Sequence, residues 1–246
     1  MKKIIVDINC DVGEGVGNEI DLLPLISSCN IACGGHAGDK KSMADVIRLA
    51  MNNQVKIGAH PSYPDKENFG RVVMNISSRE LILSLNEQLS IFVKILEQHK
   101  GVLNHIKPHG ALYNKIAEDE NLANIFLDAI ENYKNIPIYL PYQSQIHQLA
   151  IKRGFKFHLE AFADRNYTSS LKLVSRSLEN AVIHEPKLVL QHLVKMIREE
   201  AVDTIEGLSR KIKAHTFCVH GDTPTALQIL MYLSQELPKN QIEISK

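Results

Sequence analysis

The stretch Lys3-Ile-Ile-Val-Asp-Ile-Asn-Cys-Asp-Val-Gly-Glu-Gly, residues 3–15, decides how the rest of the chain is read. Lys3–Cys10 is a β-rich apolar run, and its carboxyl end turns abruptly to groups capable of chemistry: Asn9, Asp11 and Glu14 among glycines. Side chains two apart on a strand share a face, so Asn9 and Asp11 point the same way. The same shape recurs. Apolar β-rich segments at Cys29–Cys33, Val55–His60, Val102–His109, Ile136–Pro141, Phe155–Phe162 and Thr216–His220, with a further candidate at Gln241–Ser245, alternate with segments of helical period. Those helical segments are Lys41–Asn52, Arg79–His99, Glu120–Tyr133, Ser144–Lys152, Pro186–Glu199 and Thr225–Leu237. Seven or eight βα units specify a parallel sheet with helical crossovers and predict an α/β fold, a distorted (β/α)7-8 TIM-like barrel rather than an open sheet.

No linker rich in Pro, Gly or Ser interrupts residues 1–246, which predicts a single barrel domain. The segment Arg165–Glu185 has no clear period, and a loop of that length in a compact domain suits a lid or a binding loop. The 28 Lys+Arg balance 28 Asp+Glu, so there is no basic footprint for nucleic acid. The apolar run after Lys2-Lys3 is broken by Asp7, too short for a signal-peptide core. No run approaches the ~18 apolar residues of a membrane span, and a cytoplasmic protein is predicted. Cys10, Cys29, Cys33 and Cys218 lie in apolar stretches without CxxC spacing, which predicts reduced core thiols rather than a disulfide or zinc site.

The informative pattern is where the polar residues collect. Nearly every strand candidate ends in a polar run: Asn9 and Asp11 with Glu14, His36 with Asp39, His60 with Tyr63, Lys107 with His109, Glu160 with Asp164 and Arg165, and His220 with Asp222. In a parallel barrel these ends share the face where active sites are built, so six segments converge on one pocket and predict an enzyme. Asp39, Asp222 and Ser144 equally suit helix N-caps. Gly13/Gly15/Gly17 lacks the dinucleotide spacing, and Asp11 and Glu14 would repel a pyrophosphate; no GxxxxGK[ST] loop occurs. His36, His60 and His109 with Asp11 have the donor chemistry of a zinc-type hydrolase, although the spacing matches no metal motif; the alternative is that they act as acids, bases and hydrogen-bonding groups. Lys107 and Arg165 suit an anion, or else ion pairs with Glu160 or Asp164. The segment Arg79–Lys100 reads as an outer barrel helix; an exposed apolar stripe on it would mark a homo-oligomer or subunit contact.

The blocks DINCDVGEG (7–15), NIACGGHAGD (30–39), IGAHPSYPD (57–65) with FGR (69–71), HIKPHGALYN (105–114), EAFADRNY (160–167), SR (175–176) and CVHGDTP (218–224) resemble the LamB/YcsF family, the 5-oxoprolinase A subunits, over the whole chain in order. The resemblance implies a barrel of the glycoside hydrolase/deacetylase type. It also implies a share in the ATP-dependent opening of the 5-oxo-L-proline lactam to L-glutamate, ADP and phosphate, together with two separately encoded subunits, B and C. The missing phosphate loop agrees with ATP, as a magnesium-bound co-substrate, being held on a partner.

On this reading Asp11, or a metal on Asp11, His36 and His60, positions the attacking water, and His109 or Glu160 protonates the leaving nitrogen. Lys107 and Arg165 hold a carboxylate or phosphate, and Asn9, Glu14, Asp39, Asp164, His220 and Asp222 complete the substrate- or phosphate-binding set. Two departures from the family pattern stand out: residues 17–22 form a shorter segment than usual, and Gly35 replaces a common Phe, which predicts a missing apolar wall beside His36. The alternatives are a self-sufficient metal-dependent amidohydrolase or carbohydrate deacetylase, and a non-catalytic lactam-binding subunit.

Overall fold

The computed structural model describes residues 3–246. The strands are β1 (Ile4–Val12), β2 (Ser28–Ala32), β3 (Lys56–His60), β4 (Leu103–Ile106), β5 (Ile138–Pro141), β6 (Phe157–Phe162), β7 (Ala201–Asp203), β8 (Ser209–Lys211), β9 (Thr216–Cys218) and β10 (Ile242–Ile244). The helices are α1 (Glu19–Leu22), α2 (Lys40–Asn52), α3 (Ser78–Gln98), α4 (Gly110–Glu118), α5 (Glu120–Ala129), α6 (Gln145–Arg153), α7 (Pro186–Glu199) and α8 (Ala226–Glu236). Strands β1 to β6 pair in sequence order, all parallel, and β9 pairs with both β6 and β1, closing a seven-stranded barrel. β10 stays outside the closure: it pairs with Ile4–Val6 at the start of β1, while β9 takes Asp7–Asn9.

Period two explains the strands. Val6, Ile8, Cys10 and Val12 join one apolar core with Val46 and Ile47 of α2, and the alternate residues Asp7, Asn9 and Asp11 face the barrel interior. α3 buries Leu81, Leu85, Gln88, Leu89, Phe92 and Leu96 along one face, and Ser77 and Glu80 cap its start reciprocally. Among its large apolar residues only Leu83 is exposed, so the helix carries no apolar stripe for a partner. All four cysteines are buried free thiols, as their apolar setting predicts. Among the described residues no helix is long and apolar enough to cross a membrane.

Boundaries moved for physical reasons. β4 is shorter than Val102–His109 because Pro108 has no N–H, yet the Lys107 and His109 amides still bond to Ala59 O (2.9 Å) and Pro61 O (2.8 Å) on the β3 side. The segment 120–133 splits into α5 and a 3-10 turn at Glu131–Tyr133. α1, α4 and the β7–β8 hairpin are absent from the sequence expectations; each is short, and the hairpin strands have three residues each, too few to show a period.

Candidate active site

The barrel interior is polar from bottom to top. At the amino-terminal end Asp7 accepts hydrogen bonds from Ser28 Oγ and Thr216 Oγ1, both at 2.7 Å, and pairs with Lys56 Nζ at 3.0 Å. One layer up, Asn9 Nδ2 donates to Glu160 Oε1 (2.9 Å) and Thr216 Oγ1 (2.8 Å), and Asn30 Nδ2 donates to Asn9 Oδ1 and Asp11 Oδ1, both at 2.8 Å. His105 Nε2 lies 2.6 Å from Asn30 Oδ1 and its ring stacks on Tyr139. Gly58 leaves room for this ring: a Cβ there would overlap the imidazole.

Lys107 is the cation of the upper layer. Its Nζ lies 2.9 Å from Asp11 Oδ1, 3.0 Å from Glu160 Oε1 and 3.1 Å from Cys218 Sγ, with the side chain 3% exposed. Burial pulls the Lys107 ammonium towards neutrality, but Asp11, then Cys218 and Glu160, outweigh it and hold the group charged. Burial likewise pushes the Asp11 carboxyl up, and its neighbours His60 and Lys107 hold it well below the usual carboxylate range. Lys107 is therefore committed to two carboxylates, the ion-pair alternative, rather than left open for a substrate anion. Arg165 pairs with neither Glu160 nor Asp164: its guanidinium donates to Ala181 O at 3.0 Å and to Val174 O, and so ties down the 165–185 loop. Burial, then the nearby Arg176 charge, lower its pKa to about 10.

Three histidines and one carboxylate meet beside this layer. His36 Nε2 is 2.9 Å from Glu14 Oε1, His109 Nδ1 is 2.9 Å from His60 Nε2, and His109 Nδ1 is 3.3 Å from Glu14 Oε1. The His36 and His109 rings stack at 3.6 Å. Burial pushes the His36 pKa down to about 4 and lowers that of His109. Burial raises the Glu14 carboxyl, but its contacts with His109 and His36 leave it well below its ordinary value. The set differs from the candidate metal ligands Asp11, His36 and His60: Glu14 and His109 belong to it, whereas Asp11 lies 3.5 Å from His60 Nε2 and bonds to Lys107. Glycine at position 70, with φ +63°, lets the loop press on the rings; a Cβ there would lie 2.9 Å from His36 Cβ and 3.0 Å from His109 Cδ2.

A cavity of about 260 Å³ opens above, lined by Asp11, Glu14, His60, Lys107, His109 and His220, among others. His220 Nδ1 lies 3.0 Å from Asp164 Oδ1, and Asp164 also accepts from the His220 amide at 2.9 Å. Asp222 stands at the mouth, in ion pairs with Arg71 and Arg176. The 165–185 segment supplies Leu173, Val174, Ser175, Arg176 and Ser177 to the cavity wall. Asp39 does not reach the pocket: it is exposed and caps α2 by accepting from Ser42 N, the N-cap alternative. Gly35 leaves no missing apolar wall, because Ser62 and Gln88 occupy the space its side chain would need, bonded to each other through Ser62 N and O at 3.0 and 2.9 Å.

Reading the sequence for site residues passed over Asn30, Phe69, Arg71, Tyr113 and Arg176. All five lie inside the blocks that carry the family resemblance, and Asn30 also sits at period two with Ser28 on β2; the others lie off the strand ends. Tyr113 OH and Glu160 Oε2 are buried without hydrogen-bond partners, and burial holds the Tyr113 phenol protonated.

A closed parallel barrel whose strand ends carry a histidine–carboxylate pocket defines a TIM-barrel-like protein with a candidate hydrolytic site. The fold likeness extends to a T48 deacetylase (TM-score 0.50, 12% identity, 99% of this chain and 87% of that one), which shows the shared barrel alone. The chain belongs to the LamB/YcsF family, whose family model matches residues 6–246. It is 40% identical over 246 residues, the full length of both chains, to the 5-oxoprolinase A subunit of Haemophilus influenzae (strain PittEE). It superposes on the lactam utilization protein of Thermus thermophilus with a TM-score of 0.91 at 31% identity, covering 100% of this chain and 99% of that one.

Proposed function

We propose that this chain is the A subunit of a 5-oxoprolinase, which with subunits B and C and ATP opens the lactam of 5-oxo-L-proline to L-glutamate. The names of its relatives support the substrate class. The observation that carries the chemistry is the buried Asp11–Lys107–Glu160 set, with the His220–Asp164 pair at one small cavity. That cavity is smaller than a drug-sized pocket and suits a metabolite of lactam dimensions.

A lactam is a stable amide, so its opening needs an activated carbonyl, an activated water and a proton for the leaving nitrogen. ATP supplies the first by phosphorylating the carbonyl oxygen, with ADP leaving; we assign its magnesium-bound site to a partner subunit, an assignment with which the missing phosphate loop agrees. Asp11, kept ionised by His60 and Lys107, accepts the proton of the attacking water. The C–N bond breaks and His220, oriented by Asp164 through Nδ1, gives its Nε2 proton to the nitrogen. We place this role on His220 rather than on the two expected donors: the ring nitrogens of His109 lie against His60 and Phe69 O, and Glu160, held by Asn9 and Lys107 through Oε1, is not among the residues that line the cavity. A second water releases phosphate from the acyl phosphate. Arg71 and Arg176 at the mouth suit the substrate carboxylate in exchange for Asp222. Buried thiols fit the reducing cytoplasm.

The test is glutamate release from 5-oxo-L-proline by the chain alone and with subunits B and C, each with and without ATP. Release only from the complete mixture is expected. Release by the chain alone without ATP would move the assignment to a self-sufficient amidohydrolase. Undiminished turnover by Asp11→Asn in the assembled enzyme would reduce this chain to lactam binding without a catalytic part.

A further inference from the structure

We propose that Glu14, His36, His60 and His109 form a divalent-metal centre of the zinc class at the floor of the cavity. Glu14 Oε1, His36 Nε2, His60 Nε2 and His109 Nδ1 all lie within 4.8 Å of one another. Successive contacts run 2.9 Å (His36 to Glu14), 3.3 Å (Glu14 to His109) and 2.9 Å (His109 to His60), with His60 to Glu14 at 3.9 Å. Ligands about 2.0–2.1 Å from a tetrahedral ion stand roughly 3.3 Å apart; these four atoms bracket that spacing.

The hydrogen bonds behind the rings strengthen the case. His60 Nδ1 lies 2.7 Å from Lys107 O, and His109 Nε2 lies 2.9 Å from Phe69 O. A carbonyl oxygen only accepts, so each of those nitrogens carries the ring proton. In neutral rings the opposite nitrogens, His60 Nε2 and His109 Nδ1, then both present lone pairs, and they face each other at 2.9 Å. Two lone pairs at that distance repel unless a cation lies between or beside them. Backbone carbonyls behind ligating imidazoles are also the usual device for fixing a metal-binding tautomer and ring orientation. The Phe69 carbonyl is held in place by a left-handed residue, φ +54°, in the turn that Gly70 completes.

The charge balance points the same way. The Glu14 side chain is buried, and among the described residues its ion-pair partners are the three histidines, with no lysine or arginine. Three neutral imidazoles and one carboxylate suit a borderline divalent ion such as zinc or cobalt rather than calcium or magnesium. Glu14, His60 and His109 line the cavity, so the centre faces the space where a small substrate enters. Its part in catalysis rests on the 5-oxoprolinase reading, and when bound it would polarise a carbonyl or a water beside Asp11. Its existence does not rest on that reading.

The experiment uses the purified full-length chain, stripped with a chelator and titrated with Zn²⁺ or Co²⁺, with metal content and the visible absorption of the cobalt form as readouts. One ion per chain and a cobalt band of low-coordinate character are expected. Glu14→Gln and His109→Gln, checked for native circular dichroism, lose affinity by at least the 10–100-fold typical when a mere orienting partner is removed. Asp11→Asn binds the metal as wild type does. Absence of saturable binding by the wild type, or full binding by folded Glu14→Gln and His109→Gln, overturns the centre. Because these readouts need no turnover, a chain that binds metal but releases no glutamate with subunits B and C would overturn the functional reading alone.

Discussion

The lower and upper halves of the barrel interior are built from the same seven parallel strands with the same alternation, yet their hydrogen bonding differs. In the lower half the buried polar groups pair with one another: Asp7 takes Ser28, Thr216 and Lys56, and His105 takes Asn30 and Asn104. In the upper half one buried cation serves two carboxylates, two imidazole nitrogens face each other, and Glu160 Oε2, Tyr113 OH and His36 Nδ1 have no partner among the described residues. Buried polar groups are costly unless paired. A satisfied polar layer therefore reads as structure, and an unsatisfied one as a place where ligand atoms complete the bonding.

The sharpest way to break that contrast is to remove the lysine from each half. Lys107→Met leaves Asp11 and Glu160 buried without a cation and is expected to cost about 3–5 kcal/mol, with turnover lost in the assembled enzyme. Lys56→Met removes a half-exposed partner of Asp7 and is expected to cost about 1 kcal/mol or less. Urea unfolding of both variants reads the difference, and equal costs would sink the contrast.

Asp164→Asn tests the upper half without emptying it. As partner of the proposed proton donor, its loss should lower turnover by roughly 10²–10⁴-fold, with 5-oxoproline binding little changed. The mutation also has a pH signature. Burial raises the Asp164 carboxyl, but the His220 charge and hydrogen bonds bring it below its ordinary value. Its stabilisation is thus full above the unfolded value of about 3.9 and fades as pH falls through the lower folded value. Wild type should lose stability through that acid window more steeply than Asp164→Asn, as urea midpoints from about pH 5 down to about pH 2 will show.

Gly58→Ala addresses the lower half. The added methyl would overlap His105 and push it off Asn30. Overpacking of this kind costs typically 1–3 kcal/mol, about 2–4 °C in Tm per kcal/mol at this size, and metal binding by the folded variant should persist.

The contrast also explains how far the sequence could be read. Period two on β1 and along 105–109 makes the interior residues legible as sets, Asn9 with Asp11 and His105 with Lys107 and His109, and the βα alternation makes the barrel legible. Which members pair is fixed across strands far apart in sequence, as in Asn9 with Glu160 or Lys107 with Asp11. The tautomers of His60 and His109 are set by backbone carbonyls at Lys107 and Phe69, which leave no mark on residue identity. For the same reason Glu14 was separable from Asp11 as a metal-ligand candidate only in three dimensions.

Asp39 supplies the smallest effect and the control. Its spacing from His36 places it with the pocket residues, and its position just before α2 makes it a cap; the structure selects the cap. The Ser42 amide and hydroxyl complete a reciprocal box at an exposed helix start. Hydrogen bonds from Ser42, chiefly its amide, hold the Asp39 carboxyl below its usual value even though it is exposed. Asp39→Ala should therefore lower Tm slightly while leaving turnover and metal content at wild-type levels, and Asp39→Asn, which caps equally well, should restore the Tm. A loss of turnover in Asp39→Asn with Tm intact would return Asp39 to the pocket and move the boundary between cap and site.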